Sequence, residues 1–123
     1  MDHVIPKHVS SQISKRCLRC YDEQQWYGEN FLFDYIGDSD VNGHKILEIG
    51  CAEAGLMKFY QDKGAICSGL ELSDARYKNA ILLDNNNRIH LFQADICNPN
   101  SYNDKITERY NTIILRDVIE HIP

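Results

Sequence analysis

Lys45-Ile46-Leu47-Glu48-Ile49-Gly50-Cys51-Ala52-Glu53-Ala54-Gly55 is the stretch that decides the fold. It reads as a short buried strand, a turn of small residues, and the first turn of a helix. A second strand, Ile66 to Leu70, ends on an acid, Glu71, 21 residues after Gly50. A small-residue turn lets the backbone approach a ligand closely, and the helix N-terminus behind it presents free N–H groups. An acid about 20 residues further on stands where a ribose diol is held. The two features together point to an adenosine-containing cofactor.

Working outward, strands and helices alternate from residue 45 onward. The first strand is Lys45 to Ile49, and a helix follows from about Ala54 to Lys63 with Gly64 as its cap. The second strand is Ile66 to Glu71. Ser73 or Asp74 then caps a helix carrying Ala75, Ala80, Ile81 and Leu82. Asn85-Asn86-Asn87 is a turn, and Ile89 to Ala94 is the third strand. Asn98-Pro99-Asn100 breaks the chain before a short helix within Ser101 to Glu108. The fourth strand is Asn111 to Leu115, apolar across Ile113-Ile114-Leu115, as a strand covered on both faces would be. Asp117 then caps a helix that has barely begun at Pro123. This alternation predicts an α/β fold with a parallel sheet and right-handed crossovers. The fourth strand would form an exposed apolar edge. That predicts either a chain that is the N-terminal part of a longer protein, or self-association through this edge.

Residues 1–44 differ in character and predict a helical extension. Val9, Ile13, Cys17 and Cys20 recur at helical spacing, and Trp26, Tyr27, Phe31, Tyr35 and Ile36 follow as an aromatic-rich second helix. Gly37 is the expected stop, and Asp38 to His44 a polar connector.

The composition narrows the function classes. A chain of 123 residues, 43% of them hydrophobic, suffices for a single core. No run approaches the roughly 20 apolar residues of a membrane span, and the N-terminus lacks the basic-then-apolar order of a secretory signal. The net charge of −5 disfavours sequence-blind binding to phosphate backbones or anionic lipid. An odd set of five cysteines, three of them in or beside strands, suits a reducing cytoplasm. Cys17-Leu18-Arg19-Cys20 has CxxC spacing but no second pair, and the histidines are scattered, so no metal site is expected.

Glu48-Ile49-Gly50-Cys51-Ala52-Glu53-Ala54-Gly55 resembles the first motif of class I S-adenosylmethionine-dependent methyltransferases, an acid, any residue, then Gly-x-Gly-x-Gly. Gly50 is kept, whereas Ala52 and Ala54 stand where the later glycines fall. Three further segments are similar to that family's motifs in the same order. They are Gly69-Leu70-Glu71-Leu72-Ser73, Gln93-Ala94-Asp95-Ile96, and Leu115-Arg116-Asp117-Val118-Ile119-Glu120-His121. The resemblance covers residues 45–123. It implies a Rossmann-like sheet of strand order 3-2-1-4, the remainder of a seven-stranded sheet lying outside the chain, and S-adenosyl-L-methionine as cofactor. Glu71 would accept hydrogen bonds from both ribose hydroxyls, Asp95 would meet the adenine amino group with Ile96 flanking the ring, and Leu72 would also belong to the cofactor site. Glu48, Gly50, Cys51, Ala52 and Gly55 would form the loop, with Arg116 and Asp117 at the methionine end. The N-terminal helices would form a lid, centred on Trp26 to Phe31, over a small-molecule methyl acceptor. His121 has a suitable unperturbed pKa to take a proton from an oxygen or nitrogen acceptor.

Two rivals stay open on the residues alone. Gly50, Ala52 and Gly55 also satisfy a degraded G-x-A-x-x-G, so a nicotinamide-dependent oxidoreductase is the first. A non-catalytic interaction module that keeps the fold is the second.

Overall fold

A computed structural model describes residues 5–35, 40–116, 118, 120 and 122, with the side chain of Tyr35 left out. The expected stop at Gly37 lies outside these residues. Among them, four strands form one parallel sheet in the order β3-β2-β1-β4: β1 is Lys45–Ile49, β2 Ile66–Glu71, β3 His90–Gln93 and β4 Thr112–Leu115. Register pairs Ile49 with Leu70 and with Leu115, which brings three strand ends level at one edge. The order places the β1 end where the chain's two winding directions diverge, the usual ligand crevice of an open parallel sheet.

The period-two alternation of β1 divides its side chains between two cores. Ile46 packs with Cys67 and Ile114 beneath Ala54, Leu56, Met57 and Tyr60, which belong to the helix α4, Gly55–Asp62, and its N-cap. Leu47 and Ile49 pack on the opposite face with Leu70 and Ala94, covered by Phe92, Ile96, Tyr102 and Val118. β4 pairs only with β1 among the described residues, and Ile113 and Leu115 are half-exposed. The helix α5, Asp74–Leu83, is capped by Ser73, whose hydroxyl accepts from Arg76 N.

Three expectations are corrected. The N-terminal helices divide elsewhere: α1 is a single turn, Lys7–Ser10, and α2 runs unbroken over Lys15–Tyr27. Ser14 sets the break by capping α2, accepting from Cys17 N at 3.2 Å. No Gly or Pro interrupts residues 15 to 27, so Cys17, Cys20 and Trp26 share one helix. It continues through a π-helical turn, Gly28–Leu32, into the short α3, Phe33–Tyr35. Between Ser101 and Glu108 there is no helix. A 3₁₀ turn spans Pro99–Ser101, where the Ser101 hydroxyl donates to Asn98 O at 2.7 Å and Tyr102 OH to Ile96 O at 3.0 Å. These local side-chain bonds offer the backbone an alternative to helix. Finally, β3 and β4 each begin one residue later than expected, β3 also ending one residue earlier.

α2 crosses α4 so closely that a Cβ on Gly55 would collide with the carbonyl oxygen of Tyr21 and lie 2.8 Å from Gln24 Cβ. Only glycine fits there, and the contact lays α2 against the turn after β1.

Candidate functional site

The turn after β1 is built from alternating left-handed residues. Gly50, Ala52 and Ala54 have φ of +77°, +52° and +65°. Both Gly50 N and Cys51 N donate to Leu70 O, at 2.7 and 3.0 Å, which ties the turn to the end of β2. Ala54 N donates to Cys51 O at 2.8 Å, and Ala54 then serves as N-cap of α4 without a side-chain bond. The two alanines therefore adopt the conformation for which glycine is the easy choice, at a cost of roughly 1–2 kcal/mol each.

Glu71 closes the turn from beneath. It is buried, its Oε1 accepting from Ala52 N at 2.7 Å and its Oε2 from Ser73 N at 2.8 Å. An ionised carboxylate offers about four acceptor sites, so each oxygen keeps one for a ligand hydroxyl. Glu71 shares a cleft of about 300 Å³ with Gly50, Leu72, Asp95, Ile96 and Val118. Leu72 is 64% exposed there, an apolar surface with little to cover it. Asp95 Oδ1 accepts from Cys97 N at 2.9 Å, and Ser101 Oγ accepts from Asp95 N at 3.0 Å, fixing the acid at the end of β3.

A second cleft, about 490 Å³, opens on the other side of Gly50 and Arg76, beneath α2. Cys20, Trp26, Tyr27, Ala52 and Arg116 line it. Its floor is held by a buried network that sequence reasoning missed. Gln24 Nε2 donates to Glu53 Oε1 and Gln24 Oε1 accepts from Gly55 N, both at 2.9 Å. Glu53 Oε2 lies 3.2 Å from Arg76 Nε. Glu53, an acid set among small residues in the turn, was the one visible signal. Nothing in the sequence connects it to Gln24, 29 residues away. Across the mouth, the Arg116 guanidinium sits 4.4 Å from the centroid of the Tyr27 ring.

The other predicted residues are placed as follows. Glu48 is fully buried within β1, and burial pushes its carboxyl up to about 8, against the attraction of Arg116 and with the repulsion of Glu71. Cys51 is buried in the core between sheet and α4 and lines neither cleft; burial raises its thiol well above the ordinary value. Gly55 lies behind the turn at the α2 crossing. Asp117 and His121 lie outside the described residues. Among the described residues, no three His, Cys, Asp or Glu side chains are grouped to hold a metal ion. No helix among them is long and apolar enough to cross a membrane.

No protein-family model matches the chain, and no curated protein matches it. Solved structures do. Magnesium protoporphyrin IX methyltransferase from Synechocystis, with bound S-adenosylhomocysteine, aligns over all of this chain and 52% of its own at 18% identity and TM-score 0.62. The plantazolicin methyltransferase BpumL, in complex with a triazolic desmethylplantazolicin analogue and S-adenosylhomocysteine, aligns over 82% of this chain and 40% of its own. Its identity is 20% and its TM-score 0.55. The chain thus spans about half, or less, of the structures it matches. Its fold is that of the class I S-adenosylmethionine-dependent methyltransferases.

Proposed function

We propose that this chain binds S-adenosyl-L-methionine and is the cofactor-binding half of a methyltransferase acting on a small-molecule acceptor. The observation that carries this reading is the coupling of the left-handed turn to Glu71. One buried carboxylate fixes the backbone N–H of Ala52 and retains acceptor capacity toward the cleft. That combination suits a ribose diol beside a closely approached backbone. Asp95, Leu72 and Ile96 line the same cleft, which supports a reading in which Asp95 accepts from an adenine amino group and the two apolar side chains flank the ring. Gly50 belongs to both clefts, so the methionine end of the cofactor would pass it toward Arg116.

The sulfonium of S-adenosyl-L-methionine supplies an activated methyl group. The protein's own task is to hold an acceptor in line with it and to exclude water, and proximity alone can account for much of the acceleration. In this reading residues 1–44 form the lid, with α2 as its wall, and residues 45–123 form the cofactor domain. The reading is tested by Glu71→Ala, which removes a charge-assisted bond and releases the Ala52 amide. S-adenosylhomocysteine affinity should fall more than tenfold by calorimetry, and an unchanged affinity would remove Glu71 from the site.

A further inference from the structure

We infer that Arg76 is a specificity-determining residue of the ribose site, supplying the donors that complement the acceptor-only carboxylate of Glu71. The inference rests on the methyltransferase reading and deepens it. A sugar hydroxyl carries one O–H donor and two acceptor lone pairs. Glu71 can take up only the donor, so a hydroxyl placed on it still needs a group to accept from. Among the described residues that line this cleft, Arg76 is the one cationic side chain. The other polar side chains there are the acids Glu71 and Asp95 and the thiol of Cys97.

Arg76 is fixed from two sides. Its backbone N donates to the Ser73 hydroxyl at 3.3 Å, and Ser73 N donates to Glu71 Oε2 at 2.8 Å. One short loop therefore sets the acid and the cation relative to each other. The Arg76 Nε lies 3.2 Å from Oε2 of Glu53, a fully buried carboxylate whose Oε1 already accepts from Gln24 Nε2. One such oxygen cannot use the five N–H donors of a guanidinium, which leaves donors for a ligand. The Arg76 side chain stays 48% exposed and lines both clefts. Held by a buried acid, it has less freedom to lose on binding, and its charge strengthens each bond that it donates. A ribose hydroxyl that donates to Glu71 and accepts from Arg76 has both of its roles matched. A deoxy analogue leaves the two charged groups without that partner.

Calorimetry with S-adenosylhomocysteine and with its 2′-deoxy and 3′-deoxy analogues tests this. Arg76→Met should weaken S-adenosylhomocysteine about tenfold, the loss expected for one charge-assisted hydrogen bond. At least one deoxy analogue should stay within about twofold of its wild-type affinity, because the hydroxyl that Arg76 meets is already absent from it. Arg76→Met strands the buried charge of Glu53, so the double variant Glu53→Gln with Arg76→Met, which removes both charges, is measured beside it and should give the same pattern. Equal losses for all three ligands would make Arg76 a structural residue and overturn the inference. So would an unchanged affinity for S-adenosylhomocysteine, or a wild-type chain that binds all three ligands equally. A wild-type chain that does not bind S-adenosylhomocysteine at all would overturn the methyltransferase reading itself, and with it the site that Arg76 would complete.

Discussion

Ala52 and Ala54 hold φ of +52° and +65°, a region that an L side chain enters only when its surroundings impose it. Here the constraints are the Glu71 carboxylate on Ala52 N and the short bond from Ala54 N to Cys51 O. The alanines preserve the backbone path of a glycine-rich turn and add two methyl groups to its packing. Glu48 shows a different form of residue-scale tension. Its carboxyl is held neutral in the fold, with a pKa raised from 4.5 to about 8 by burial. The folded state therefore binds the proton more tightly than the unfolded chain. The stability this contributes is complete below pH about 4.5 and is lost as pH rises through about 8. The full effect is on the order of a few kcal/mol. Thermal unfolding from pH 5 to 9 should show this decline. Glu48→Gln, which cannot ionise, should flatten it and be the more stable protein above pH 8; a wild-type profile already flat would contradict the assignment.

At the scale of elements, the contact that matters is α2 on the turn and on α4. Gln24 satisfies two buried groups at once, the Glu53 carboxylate and the first N–H of α4, and Gly55 allows the approach that makes both bonds possible. A helix N-terminus buried without partners is costly. Gln24→Ala leaves an amide and a carboxylate oxygen without those bonds and should cost about 2–4 kcal/mol. Urea denaturation reads this as a lower midpoint at unchanged slope; an unchanged midpoint would mean that water replaces the side chain. The strands and the turn could be read from sequence because their signals are local: apolar runs, small residues, an acid at each strand end. The Gln24–Glu53–Arg76 network could not, because it exists only once two helices cross. The helix expected within Ser101 to Glu108 failed for a local reason, since Ser101 and Tyr102 bind nearby carbonyls in a turn.

For the molecule as a whole, the sheet order brings Glu71, Asp95 and the turn to one edge, although they are far apart in sequence. Strand–helix alternation made the parallel sheet legible, and the order 3-2-1-4 followed from the motif resemblance and is observed. What the alternation could not convey is that two clefts, rather than one, meet at Gly50 and Arg76. One cleft carries Glu71 and Asp95, the other Trp26, Tyr27 and Arg116, and Arg76 lines both. The most direct test of the central claim is calorimetric titration of the chain with S-adenosylhomocysteine and, separately, with NADH. The account predicts saturable one-to-one binding of S-adenosylhomocysteine and none of NADH. Saturable NADH binding with no response to S-adenosylhomocysteine at millimolar concentration would contradict it.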